Sequence, residues 1–153
     1  MSQINVLTTE ERARFGCTHE IIVDYTDLVA FGGSSGTVTV TVPAGSWVKG
    51  GPHVLENDFT DGGATISTIT YTVGDGTDAD LFMTSTEVES TATEVDYKVP
   101  TPGSGAAEVA EGKVYTSADT LDLAFTANTT MNGLTAGKLH YFFTLIDLDE
   151  VKG

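Results

Sequence analysis

Residues 36–76 read GTVTVTVPAGSWVKGGPHVLENDFTDGGATISTITYTVGDG and contain the two clearest strand patterns of the chain. In residues 37–42 threonine and valine alternate, which places three valines on one face of a strand and three threonines on the other. Residues 42–45, Val-Pro-Ala-Gly, have the proline and glycine of a type I turn. Residues 69–73 alternate again. Because each strand has one apolar face, a second layer must cover it, and the stretch predicts a β-sandwich.

Short apolar or alternating runs continue along the rest of the chain, separated by turn residues. Residues 18–25 and 121–127 alternate, and residues 139–148 are almost wholly apolar. A continuous apolar run is typical of a strand buried on both faces, so we place the last run at the centre of a sheet. Residues 49–52, Lys-Gly-Gly-Pro, are predicted to break or bend the chain. About eight to ten short strands at this spacing predict an all-β fold, an antiparallel β-sandwich that is jelly-roll-like.

The first 17 residues are predicted to form an N-terminal lead-in, and residues 18–153 a single sandwich domain. Thr8 is followed three residues later by Glu11, which fits a capping box, and Gly16 can end a helix. A helix of about two turns is therefore predicted before Gly16, and residues 27–31 are interpreted as a connector. The lead-in is either a frayed chain start or an arm that docks on a partner.

Charge is the bulk property that excludes most functions. Seven basic and 22 acidic residues give a net charge of −15, spread along the chain. Such a surface repels phosphate backbones, so direct binding of DNA or RNA is not expected. The single cysteine, Cys17, excludes an internal disulfide. We find no run of roughly 20 apolar residues and no signal-peptide pattern, so neither a membrane segment nor secretion is expected.

Sequence motifs for catalysis or metal binding are absent, so we expect neither an enzyme nor a cofactor. His19, His53 and His140 share no ligand spacing and are interpreted as surface or interface side chains. Asp75, Asp78 and Asp80 lie in one glycine-containing loop. Calcium accepts oxygen ligands from such loops, but aspartate is also a common turn residue, and both readings stay open.

Aromatic residues supply the remaining site candidates. Tyr71, Tyr97 and Tyr115 fall at inward positions of alternating strands and are predicted to lie in the core. Trp47 follows a turn, where a large amphipathic ring can anchor a partner. The predicted partner-contacting residues, which combine unpatterned apolar groups with basic residues of the lead-in, are Leu7, Arg12, Arg14, Phe15, Trp47 and Val48.

Three segments, taken in order, resemble the virion structural proteins of tailed bacteriophages. They are the alternating run into Pro43-Ala44-Gly45, the segment VGDGTDADLF at residues 73–82, and the segment from Leu-Thr-Ala-Gly through the apolar strand at residues 134–148. The resemblance extends over residues 18–148, and its motifs are turn signatures.

The resemblance implies a capsid decoration (cement) protein, located on the capsid exterior after synthesis in the host cytoplasm. It implies that the major capsid protein is the partner, that three copies form a homotrimer, and that the protein stabilises the shell by contact alone. An alternative is a fibre, tail or receptor-binding module that recognises a host glycan. A metal-dependent or hydrolytic enzyme is a third and weaker reading.

Overall fold

The two alternating stretches, in residues 37–42 and 69–73, both form strands of one sheet. The computed structural model describes residues 2–91, 93–99, 101, 103 and 110–152, without the side chains of Arg14 and Phe15. The strands of this part of the chain are β1 (Gln3–Val6), β2 (His19–Asp24), β3 (Ser35–Val42), β4 (Ser46–Thr60), β5 (Ile69–Asp75), β6 (Met83–Glu87), β7 (Tyr97–Lys98), β8 (Lys113–Tyr115), β9 (Asp119–Ala127) and β10 (Ala136–Asp147). The helices are α1 (Thr9–Phe15), α2 (Tyr25–Ala30) and α3 (Leu148–Lys152), with a 3₁₀ turn at Met131–Gly133.

Two antiparallel sheets pack face to face, which confirms the predicted sandwich. The larger sheet has the order β1-β2-β10-β4-β7, with β8 also paired to β4, and the smaller sheet has the order β3-β9-β5-β6. None of the helices in the described part of the chain is long and apolar enough to span a bilayer. The helices are short and lie at strand ends, so the sheets define the surfaces that a partner can meet.

The smaller sheet follows the alternation of its strands. Val38 and Val40 pair with Leu123 and Leu121 of β9, and all four side chains are buried. The threonines between the valines are exposed, as predicted. Tyr71 pairs with Phe125 at the next strand, and their rings stack with centroids 5.2 Å apart. The buried face of this sheet therefore forms one half of the hydrophobic core.

Residues 49–52 were predicted to break or bend the chain, and the break is wrong because strand β4 runs through this segment without interruption. A β-bulge at this position fits the other alternative, a bend. The pairing with β10 shifts register between Tyr141 and Phe143. A Cβ atom on Gly51 would lie 2.4 Å from the carbonyl oxygen of Phe142. The glycine therefore allows the two strands to approach closely at a bulge, and does not end the strand.

Strand β10 lies between β2 and β4, which confirms its predicted central position. Leu139, Tyr141 and Phe143 are fully buried on the inner face. The prediction of burial on both faces is wrong, because His140 and Phe142 on the outer face are only half-buried.

The capping box predicted for the first helix is present. The Thr8 hydroxyl accepts from the Glu11 amide at 3.3 Å, and the Glu11 carboxylate accepts from the Thr8 amide at 2.8 Å. Gly16 ends the helix in the left-handed conformation with φ of 70°. The strand β1, which precedes this helix and pairs with β2, was not predicted.

Helix α2 replaces the predicted connector at residues 27–31. Asp24 is its N-cap, and Asp24 and Asp27 form a second capping box through their side chains and backbone amides. The start of α2 is difficult to recognise in the sequence, because its N-cap Asp24 is also the last residue of β2 and belongs to the alternating run at residues 18–25. The prediction missed the helix because Asp-x-x-Asp is not the Ser/Thr-x-x-Glu/Gln pattern by which a capping box is recognised in a sequence.

Candidate functional site

Four of the six predicted contact residues lie in the lead-in, at Leu7 and in α1, and the other two, Trp47 and Val48, lie on β4 of the larger sheet. Leu7 and Val48 are buried, with 4% and 0% of their surface exposed, so their side chains pack within the molecule. Arg12 is exposed on α1, and Trp47 is half-buried on β4. Of the six, Arg12 and Trp47 are therefore the described side chains that reach the surface. Arg14 and Phe15 lie at the end of α1, and their side chains fall outside the described part of the structure.

Arg12 is held against the body of the protein. Its Nε donates to the carbonyl oxygen of Leu7 at 2.9 Å. The guanidinium lines a groove between α1 and α3, which it shares with His19, Ile146 and Glu150. The lead-in and the C-terminal helix therefore form one surface, with Ile146 of β10 at its base.

Trp47 lies on the outer face of the larger sheet, beside the same Ile146. Trp47 pairs with Ile146 of β10 on one side and with Val114 of β8 on the other. Gly112, with φ of 91°, packs against the indole, since a Cβ atom there would lie 2.4 Å from Trp47 Nε1. The structure thus brings Trp47 and Arg12 to neighbouring positions around Ile146, although 35 residues separate them in the sequence.

The outer face also has a groove further along the strands, which the sequence did not predict. Its volume is about 570 Å³, and we call it the outer-face groove. The side chains that define it are Pro52, Val54, Glu56, Tyr97, His140 and Phe142.

A row of paired residues explains why these side chains meet. Ile22 of β2 pairs with His140 of β10, His140 pairs with Val54 of β4, and Val54 pairs with Tyr97 of β7. Directly paired residues of adjacent strands place their side chains on the same face. The row therefore crosses the sheet as a band of apolar and aromatic groups.

Tyr97 corrects a prediction, because 78% of its surface is exposed where the core was expected. The alternation of Tyr97 with Val95 and Val99 identifies a strand, but it does not say which face of the strand is inward. Strand β7 is only two residues long and lies at the edge of the sheet. Its tyrosine therefore forms an exposed wall of the outer-face groove.

Charged groups surround one end of the groove. His140 Nε2 lies 2.6 Å from the Glu56 carboxylate, and His140 Nδ1 lies 3.6 Å from that of Glu20. Lys138 adds an ion pair to Glu56 at 3.1 Å. The hydrogen bonds from His140 and then from Lys138 lower the pKa of Glu56. The groove thus combines an apolar floor, an exposed aromatic ring and an ionised carboxylate.

Asp75 of the aspartate loop, which the sequence analysis considered as a calcium ligand, is bound by other groups of the protein. The Asp75 carboxylate accepts from Lys113 Nζ at 2.5 Å and from Tyr115 Oη at 2.8 Å. It also accepts from the backbone amides of Thr77 and Asp78, each at 2.9 Å. Both oxygens of Asp75 therefore have partners from the protein, and the network links the end of β5 to β8.

A different group of carboxylates has the spacing of cation ligands. Asp58, Glu94 and Asp96 place one oxygen each within 4.8 Å of one another, and no other such group of three occurs among residues 2–91, 93–99, 101, 103 and 110–152. Burial raises the pKa of Asp58, and the charges of Glu94 and Asp96 add to this effect. This group could hold a cation. The sequence analysis missed it because the residues come from different elements.

His53 is buried, with 1% of its surface exposed, which corrects its interpretation as a surface residue. Its Nδ1 lies 2.5 Å from the Tyr71 hydroxyl, and its Nε2 lies 2.5 Å from the carbonyl oxygen of Val95. Because a carbonyl only accepts, Nε2 carries the proton. Burial lowers the pKa of His53. The imidazole therefore acts as a neutral link between β4, β5 and the segment before β7.

No protein-family model, curated protein or solved structure matches the chain. The resemblance of its turn segments to phage virion proteins therefore stays a prediction.

Proposed function

We propose that this protein is a structural component of a tailed-bacteriophage virion, most concretely a capsid decoration (cement) protein. The observation that carries the proposal is the order of the three resembling segments, whose turn residues fall at strand connections of one sandwich. Residues 43–45 connect β3 to β4, residues 73–82 span the connection from β5 to β6, and residues 134–137 lead into β10. The resemblance therefore follows the architecture and is not scattered along the chain.

The outer face of the larger sheet is the surface that we assign to the major capsid protein. A protein interface typically has an apolar and aromatic centre surrounded by polar groups. The outer-face groove has this composition, with Phe142 and Val54 at its floor and Glu56 and Lys138 beside it. In the proposed role the protein binds the outside of the shell and stabilises it by bridging subunits. The resemblance implies a homotrimer in that position.

Co-sedimentation with capsid shells that lack the protein tests this proposal. The wild-type chain should bind expanded shells, and Tyr97→Ser should weaken binding by about 30-fold, the effect of losing a central aromatic anchor worth about 2 kcal/mol. Val151→Ser is the matched control, because Val151 is 77% exposed where Tyr97 is 78% exposed. Failure of the wild-type chain to bind any shell, or equal losses for both variants, would contradict the proposal.

One observation favours the alternative, a fibre or tail module that binds a host glycan. The exposed Tyr97 ring lies on the same groove as the Glu56 carboxylate and the His140 imidazole. An aromatic face can stack on a sugar ring, while carboxylate and imidazole groups can bond its hydroxyls. Glycan-array binding that Tyr97→Ser abolishes, together with no binding to shells, would select this alternative.

A further inference from the structure

Strand β1 forms an open edge of the larger sheet. It pairs with β2 on one side, and no strand of the described chain pairs on its other side. All four of its residues are exposed, including Ile4 at 48% and Val6 at 63%. An open edge with apolar side chains is a template for another strand.

The direction of the backbone groups of β1 follows from one hydrogen bond. The Leu7 amide donates to the carbonyl oxygen of Thr18 at 2.8 Å. In an antiparallel pair, residues that bond the neighbouring strand alternate with residues whose N–H and C=O point away. Counting back from Leu7 in steps of two, the backbone N–H and C=O groups of Asn5 and Gln3 point toward β2. The amides and carbonyls of Ile4 and Val6 therefore point away from the sheet.

Apart from its short length of four residues, strand β1 lacks the features that normally protect an edge. Its sequence, Gln-Ile-Asn-Val, has no lysine, no proline and no charge. Its pairing with β2 is regular over all four residues, so no bulge turns the edge away. Natural sheets generally use one of these features to prevent pairing with other molecules. Their absence leaves this edge available for pairing.

Charge allows a second copy of the chain to approach at β1. Residues 1–19 contain two acidic residues, Glu10 and Glu11, and two basic residues, Arg12 and Arg14, so their net charge is zero. The other 134 residues therefore carry the whole charge of −15. Two copies of an acidic molecule repel each other over most of their surfaces. They repel each other less at β1, whose own four residues carry no charge and whose nearest acidic neighbour is Glu20 of β2, bound by Asn5 at 3.3 Å.

We propose that β1 pairs with β1 of a second copy in antiparallel orientation, joining two larger sheets edge to edge. The outward-facing groups fix the register: Ile4 pairs with Val6 of the second copy, and Asn5 faces Asn5 of the second copy at the twofold axis. This register forms about four hydrogen bonds between the strands. It also places each exposed apolar side chain of β1 beside one from the second copy.

This pairing goes beyond the proposed function, because it concerns contacts between copies of the chain and not contacts with the capsid shell. An isologous contact joins two chains and closes on itself. The threefold association that the resemblance implies therefore uses a different surface. The number of chains in solution is accordingly even, with or without a threefold contact.

Measurement of mass in solution over a series of concentrations is the first test. The wild-type chain should form an assembly with an even number of chains, and Val6→Lys should raise its dissociation constant at least about tenfold, since lysine blocks edge pairing. Val151→Lys makes the same chemical change at an exposed valine of α3 and should leave the mass unchanged. A wild-type monomer at all concentrations, or equal behaviour of both variants, would overturn the proposal.

A disulfide test checks the register and does not depend on a change of stability. In Asn5→Cys, the two new thiols face each other across the twofold axis and should form a disulfide between chains on mild oxidation. In Gln3→Cys, the new thiols lie on the same face but about 13 Å apart, and should not. The native Cys17 is buried, which keeps the background low. A disulfide that forms equally in both variants would refute this register.

The outcome is separable from that of the proposed function. Shell binding by the wild-type chain does not require the β1 pair, and the β1 pair does not require a shell. Loss of shell binding with intact Asn5→Cys cross-linking would reject only the decoration role. Shell binding by a chain that never pairs at β1 would reject only this inference.

Discussion

Replacing Asp75 by alanine should reduce the free energy of unfolding by about 3 kcal/mol. The carboxylate is 4% exposed and accepts from Lys113 and Tyr115. Removing one partner of a buried ion pair costs about 3 to 5 kcal/mol, because the remaining groups lose their partner. The Lys113 side chain is 36% exposed, so it can regain water, and this places the expected loss at the lower end.

Thermal and urea unfolding measure this effect. For a chain of this size, a loss of about 3 kcal/mol lowers the melting temperature by about 6 to 12 °C. Asp149→Ala is the matched control, because it also breaks an Asp–Lys pair, with Lys152 at 2.9 Å. Both members of that pair are well exposed, so we expect a loss below about 1 kcal/mol.

The dependence on pH provides a second check on the same variant. Burial raises the pKa of Asp75, but the hydrogen bonds from Lys113, two turn amides and Tyr115 outweigh it, and the net pKa is lowered. The stabilisation is therefore complete above the ordinary aspartate pKa of about 3.9 and is lost as the pH falls through the lower folded value. The difference between wild type and Asp75→Ala should shrink in acid. A difference under about 1 kcal/mol at neutral pH, or one that does not shrink, would refute the reasoning.

Two further changes have clear expectations in chemical denaturation. Gly137→Ala should cost about 3 kcal/mol or more, because φ is 142° and the new Cβ would lie 2.2 Å from the ring of the fully buried Phe59. Gly16→Ala, with φ of 70° and nothing within 4 Å, should cost only about 1 kcal/mol, and equal losses would contradict this assignment. Tyr71→Phe should cost about 1 to 3 kcal/mol, because it leaves the buried Nδ1 of His53 without its partner. An unchanged midpoint would show that this bond contributes nothing.

The sandwich could be predicted because alternation reports directly on local geometry. Val38, Val40 and Val42 are buried between exposed threonines, as their spacing requires. The capping box at Thr8 and Glu11 is also a local signal, and it forms as predicted. Each of these features depends only on residues that are close together in the sequence, so the sequence alone is sufficient to predict it.

The outer-face groove could not be predicted, because it depends on the order of strands in the sheet. Ile22, Val54, Tyr97 and His140 come from four strands, and only the pairing β2-β10-β4-β7 places them in one row. A period of two cannot show which face of β7 is inward, so Tyr97 was assigned to the wrong side. The Gly50–Pro52 segment was misjudged for a similar reason, since glycine marks close approach in a strand as well as turns.

The position of β10 has a consequence for how the molecule forms. All four strands of the smaller sheet lie within residues 35–127, whereas the larger sheet needs residues 136–147 to join β2 to β4. As the chain leaves the ribosome, the smaller sheet can assemble before β10 has been synthesised. Until then β2 and β4 lack the strand that pairs with both of them. Closure is thus a late event between distant segments, which favours slow folding and a period when apolar strands are open to wrong partners.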